Sequence, residues 1–191
     1  DGSTVAFAPS LLRVPPAQGR SVALRLLSGA DRFYQDFLKT KKKELSVGVL
    51  ASGDATPEEA DTVIAEAMAL RAGAEVAREV GHAPGNLLSP AGFARRAREL
   101  ARLYGWKVEV LGVAELKKRK LPGLVMVGKG SENPPVLVRL SAGRKVKRVL
   151  IGKGVTFDSG GISIKTPAGM DEMKYDKCGA AIALGTLVAL S

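Results

Sequence analysis

Cysteine occurs once in 191 residues, at Cys178. That excludes an internal disulfide framework and fits a reducing compartment, so a cytoplasmic location is expected. No apolar run approaches the ~20 residues that a membrane span requires. Aromatic residues make up only 5% of the chain, and none interleaves the basic clusters, which removes the stacking surface that single-stranded nucleic acid uses. Negative charge is also scarce, with 19 acidic residues against 29 basic ones and a formal net charge of +10.

A basic balance of that size raises nucleic acid as a partner, because clustered cations suit phosphate. The clusters are Lys41-Lys42-Lys43, Lys117-Lys118-Arg119-Lys120, and Arg144-Lys145 with Lys147-Arg148. Each falls where a turn between elements is expected, and they read as solvated turns. An apolar content of 46% is ample for one domain of ordinary size with part of a second.

What the chain does have is concentrated between Val149 and Gly179. Val149-Leu150-Ile151 enters Gly152-Lys153-Gly154, and Asp158, Lys165, Asp171 and Asp176 follow among turn-forming residues. Glycines at 152, 154, 160 and 161 allow close backbone approach, so polar side chains can be delivered into a crevice. Carboxylates gathered there repel one another unless a cation lies between them. Oxygen ligands with a lysine amine suit a hard or borderline divalent ion, for which Asp158 and Asp176 are the obvious candidates.

GKGVTFDSGGISIK followed by MDEMKYDKCGAA resembles the active-site signature of the leucyl aminopeptidase (cytosol aminopeptidase) family, two-metal exopeptidases. The match runs without a gap over about thirty positions. The resemblance implies an α/β fold: a catalytic-domain sheet flanked by helices, preceded by the end of a smaller α/β N-terminal domain. It implies metal-dependent hydrolysis of N-terminal, preferentially apolar, leucine-like residues from peptides by a water activated between two divalent ions, Mn²⁺ or Zn²⁺.

In that reading Asp158 touches both ions, Lys153 and Asp176 complete the shell of the tighter one, and Lys165 stays protonated and stabilises the developing oxyanion. Met173 lines the pocket for the first side chain. A homo-hexamer and a bicarbonate base come with the family. Singly, each residue has an ordinary structural reading, the aspartates as caps and the lysines as solvated; jointly, at this spacing, they describe a site. Asp171 reads as structural and Cys178 as a buried small residue.

Along the chain, residues 1–18 read as a loop-rich opening with three prolines, and residues 21–27 as a strand or short helix. Phe33, Tyr34, Phe37 and Leu38 read as an aromatic anchor, and residues 45–50 as a strand. Thr56-Pro57-Glu58-Glu59 is a helix start with a capping box, and the helix is expected to end near Gly81 ahead of Pro84 and Gly85. His82, the sole histidine, reads as a helix-end residue favoured by the dipole. Ser89-Pro90 caps a second helix closed by Gly105. Strands are expected at 106–111, 124–127, 136–140 and 148–152, with a short helix at 113–119, making a largely buried sheet. Lys153 and Asp158 would then fall at a strand's carboxyl end. Neither Gly128-Lys129-Gly130 nor Gly152-Lys153-Gly154 has the spacing of a phosphate loop.

These readings divide the chain at 1–55 (end of an N-terminal domain), 56–80 (linking helix) and 81–191 (first half of a catalytic domain). The family's second motif, which supplies further metal carboxylates and an arginine for bicarbonate, is not among the 191 residues. The chain is therefore expected to be a segment of a longer enzyme, inactive by itself. Two alternatives stand beside this reading: a nucleic-acid-binding member of the family, and a catalytically silent structural one.

Overall fold

The computed structural model describes residues 3–7, 45–49, 56–145 and 147–191. The aromatic anchor at 33–38 and the segment 21–27 lie outside the described residues. β1 (Ser3–Phe7) and β2 (Leu45–Val49) pair in parallel, Ser3 opposite Leu45 and Phe7 opposite Val49. The strand at 45–49 was expected; β1 replaces the loop read at the chain's start, because a parallel partner far along the sequence leaves no local signature.

From Thr56 onward local signals govern. α1 (Pro57–His82) opens on a reciprocal capping box: Thr56 Oγ1 accepts from the Glu59 N–H at 3.2 Å, and Glu59 Oε2 accepts from the Thr56 N–H at 2.9 Å. α2 (Pro90–Tyr104) starts with Ser89 Oγ accepting from the Gly92 N–H at 3.2 Å and ends at Gly105, whose left-handed φ of 69° favours glycine. β3 (Lys107–Leu111) leads into α3 (Val113–Lys118) and α4 (Pro122–Gly128), and β4 (Leu137–Ser141) returns antiparallel to β3. A 3₁₀ helix (Met170–Lys177) runs directly into α5 (Cys178–Ala189).

Two expected strands are corrected. Residues 124–127 lie in α4, where Pro122 in the first turn presets helical φ. Residues 148–152 have no regular secondary structure and pair with no strand among the described residues, and Val149 and Ile151 are exposed. The largely buried sheet is thus, among the described residues, two antiparallel strands with only Leu111 fully buried. The α/β class holds, but helices dominate its core.

That core joins α1, α2 and α5: Val76, Val80, Leu100, Ala101, Leu184 and Val188 are buried together, with Trp106 stacked on Tyr104 at 5.0 Å between ring centroids. α1 and α5 approach most closely where Gly73 meets Gly185. A β-carbon on Gly73 would collide with the Gly185 carbonyl oxygen and lie 2.8 Å from the Ala189 β-carbon. This is backbone against side chain in a packed interface with no room to yield. Gly73→Ala is therefore expected to force the helices apart and lower stability by about 1–3 kcal/mol despite alanine's better helix propensity. Urea unfolding checks this; an unchanged or raised midpoint would contradict the close crossing.

Candidate functional site

A second pair of glycines builds the site. A β-carbon on Gly152 would overlap the Gly179 carbonyl, and one on Gly179 would sit 2.9 Å from the Lys153 nitrogen. With neither present, the segment around Gly152 lies against the start of α5, and the Ala180 N–H donates to the Lys153 carbonyl at 2.7 Å. Lys153 is thereby set beside the end of the 3₁₀ helix, where its Nζ lies 2.6 Å from Asp176 Oδ1. Its location comes from glycine contact, not from the end of a sheet strand. Sequence reasoning singled out Gly152 but not Gly179, whose only signal was the small-residue run Gly179-Ala180-Ala181.

Asp158 and Lys165 are joined by a loop that closes on itself. Asp158 Oδ1 accepts from the Gly160 N–H at 2.9 Å, Gly160 takes φ 89°, and the Lys165 N–H donates to the Ser159 carbonyl at 3.0 Å. This returns Lys165 to Asp158, Nζ to Oδ2 2.9 Å. The same ammonium lies 3.0 Å from Met173 Sδ. Lys165 and Met173, with Thr166, Ala168, Gly169 and Met170, line a cavity of about 260 Å³. Asp171 is exposed in the first turn of the 3₁₀ helix, and Cys178 is half-buried with a free thiol.

Each lysine is paired with one carboxylate. The hydrogen bond to Asp176 raises the Lys153 pKa, and the hydrogen bond from Lys165, then that from the Gly160 N–H, lowers the Asp158 pKa. Charges therefore balance in pairs. The balance is incomplete in hydrogen bonds, since Asp176 Oδ2 is buried and has no hydrogen-bond partner. A carboxylate oxygen with unused lone pairs in a dry position is costly to leave so, and it is the donor a divalent cation would take. Among the described residues no three His, Cys, Asp or Glu side chains cluster, so the available donor set is Asp158, Asp176 and the Lys153 amine.

Beside this site, Lys177 is fully buried and donates to the Lys174 carbonyl; burial pushes its pKa down. The histidine reading also gains a partner: His82 closes α1, and its Nδ1 lies 3.2 Å from the Tyr175 hydroxyl.

The Asp158–Lys165 pair carries a pH signature. A lowered carboxylate pKa means that the pair's contribution is complete above the ordinary carboxylate range and fades as pH falls through the lowered value. Carboxylate-carbon NMR titration is expected to place Asp158 below the usual ~3.9, and to move it upward in Lys165→Met. An unmoved Asp158 titration in that variant would contradict the pairing.

A profile of the cytosol aminopeptidase family, catalytic domain, matches residues 75–191. A probable cytosol aminopeptidase of Burkholderia mallei (strain SAVP1) is 43% identical over 148 residues, 75% of this chain and 29% of that protein. Among solved structures, the bottromycin maturation enzyme BotP in complex with Mn is 35% identical with a TM-score of 0.78, over 98% of this chain and 40% of that one. A leucine aminopeptidase of Caenorhabditis elegans is 27% identical with a TM-score of 0.71, over 98% of this chain and 37% of that one. The chain thus spans less than a third of the curated relative's length.

Proposed function

The chain belongs to the cytosol aminopeptidase family, and from that premise we propose that the protein containing it removes N-terminal residues from peptides in a reaction dependent on divalent metal. The observation that carries this reading is the buried, unpartnered Asp176 Oδ2 beside Lys153, in a site that also holds the Asp158–Lys165 pair. Lys153, Asp158 and Asp176 are assigned as residues that hold metal. Two divalent ions, Mn²⁺ or Zn²⁺, when bound supply an activated water and polarise the scissile carbonyl. The neighbour in complex with Mn supports the choice of ion by analogy.

The chain's own residues account for the remainder. Asp176 keeps the proton on Lys153 Nζ; as a ligand that amine must be neutral, so ion uptake releases a proton there. Lys165 is a cation whose other neighbours are Asp158 and Met173, and its ammonium donates to the carbonyl oxygen as negative charge develops on it. The cavity beside it, with Met170 and Met173 in its wall, receives the first side chain, and flexible thioethers favour unbranched and leucine-like apolar groups. The same proposal includes a bicarbonate held near the site, a homo-hexamer, a cytoplasmic location, and the division at 1–55, 56–80 and 81–191.

Two tests follow for the full-length protein. Exhaustive chelation is expected to abolish release of leucine from a leucyl anilide, and added Mn²⁺ or Zn²⁺ to restore it; turnover that survives chelation would sink the metal-dependent reading. Lys165→Ala is expected to lower kcat by roughly 10²-fold or more while metal content stays near that of the parent. Loss of bound metal with unchanged turnover per ion would instead make Lys165 a residue of the metal shell.

A further inference from the structure

The 3₁₀ helix Met170–Lys177 carries Met173 and Asp176, and its own i to i+3 hydrogen bonds are weaker than those of an α-helix. In such a helix side chains three apart eclipse, so Met170, Met173 and Asp176 share one face, the face that meets the cavity and Lys153. Tyr175 lies a third of a turn away. A rotation of this helix about its axis therefore moves the Asp176 carboxylate, and something outside the helix must fix that rotation.

Tyr175 reaches the nearest rigid element. Its hydroxyl lies 3.2 Å from His82 Nδ1 in the last turn of α1, and the rings meet edge to face with centroids 5.4 Å apart and planes at 86°. The Lys174 ammonium lies 4.9 Å from the Tyr175 ring centroid. Burial, then the nearby cations Lys174, Arg78 and Lys177, lowers the His82 pKa. A neutral ring carrying its proton on Nε2 accepts the tyrosine O–H at Nδ1. α1 is itself locked to α5 at Gly73 and Gly185, and α5 continues the 3₁₀ helix. The Tyr175–His82 contact thus ties the 3₁₀ helix directly to α1, nine residues beyond the glycine crossing.

We infer that His82 and Tyr175 are a positioning pair that fixes the rotation of the 3₁₀ helix and so aims the Asp176 carboxylate for cation binding. This rests on the reading of Asp176 as a metal ligand. Residues that orient a ligand are worth about 10- to 100-fold in metal affinity, and the pair belongs in that range although neither residue touches the ion.

The test is Mn²⁺ affinity of the full-length protein, read from the resonance of free Mn²⁺ in solution, with thermal unfolding followed alongside. Tyr175→Phe removes only the hydroxyl and is expected to weaken affinity about tenfold or more with little change in unfolding temperature. His82→Leu is expected to do the same, and His82→Asn, which keeps an acceptor near the Nδ1 position, to recover much of the loss. The double variant should be no weaker than the worse single one. Asp176→Asn separates the two levels of the argument. If it leaves affinity unchanged, Asp176 is not a ligand and the inference falls with that reading. If it lowers affinity while Tyr175→Phe and His82→Leu both stay within about twofold of the parent, the ligand stands and the positioning pair is overturned.

Discussion

The contact between the backbones at Gly152 and Gly179 is the constraint on which the site depends. A side chain at either position would meet main-chain atoms of the other segment, and main chain cannot move aside as the tip of a lysine can. The contact brings the segment around Gly152 against the start of α5, so Lys153 and Asp176, 23 positions apart, share a hydrogen bond. A similar contact at Gly73 and Gly185 fixes α5 against α1. In both places glycine trades helix or strand propensity for proximity. The outcome is a frame in which α1, α5 and the segment bearing Lys153 are held together, with the 3₁₀ helix running into α5.

That frame explains which parts of the structure could be read beforehand. Thr56 to Glu59 and Ser89 to Gly92 declare helix starts within four residues, and Gly105 declares a stop; each is closed by hydrogen bonds to its own neighbours. The residues singled out for the site, Lys153, Asp158, Lys165, Met173 and Asp176, were legible as a pattern of types and intervals. Their pairing as Lys153 with Asp176 and Asp158 with Lys165 was not, because it depends on the glycine contact and on loop closure at Gly160.

The misread elements share a cause. β1 depends on a partner some forty positions away, and α4 and the segment 148–152 are apolar runs too short for periodicity to separate strand from helix or unpaired chain. Val149-Leu150-Ile151 has a strand's composition, yet strand structure is a property of pairs, and no described residue offers it a ladder. Apolar content announced burial there; exposure of Ile151 shows that composition fixes a preference and neighbours decide whether it is met.

Electrostatics ties the frame to its chemistry. Two carboxylates and two ammonium groups in pairs make a site that is neutral within itself, so the protein does not have to hold uncompensated negative charge close together. The two pairs are not equivalent. Asp158 spends one oxygen on the Gly160 N–H and the other on Lys165, whereas Asp176 spends only Oδ1 and keeps Oδ2 buried and open. A cation at Asp176 would thus meet an oxygen whose desolvation cost folding has already imposed, while one at Asp158 would have to compete with Lys165. In the assigned reading that asymmetry gives the lysines different fates, Lys153 yielding its proton to become a ligand and Lys165 keeping its charge for the substrate. In the same reading the orientation of Asp176, and with it the way the 3₁₀ helix is held, is what cation binding would turn on.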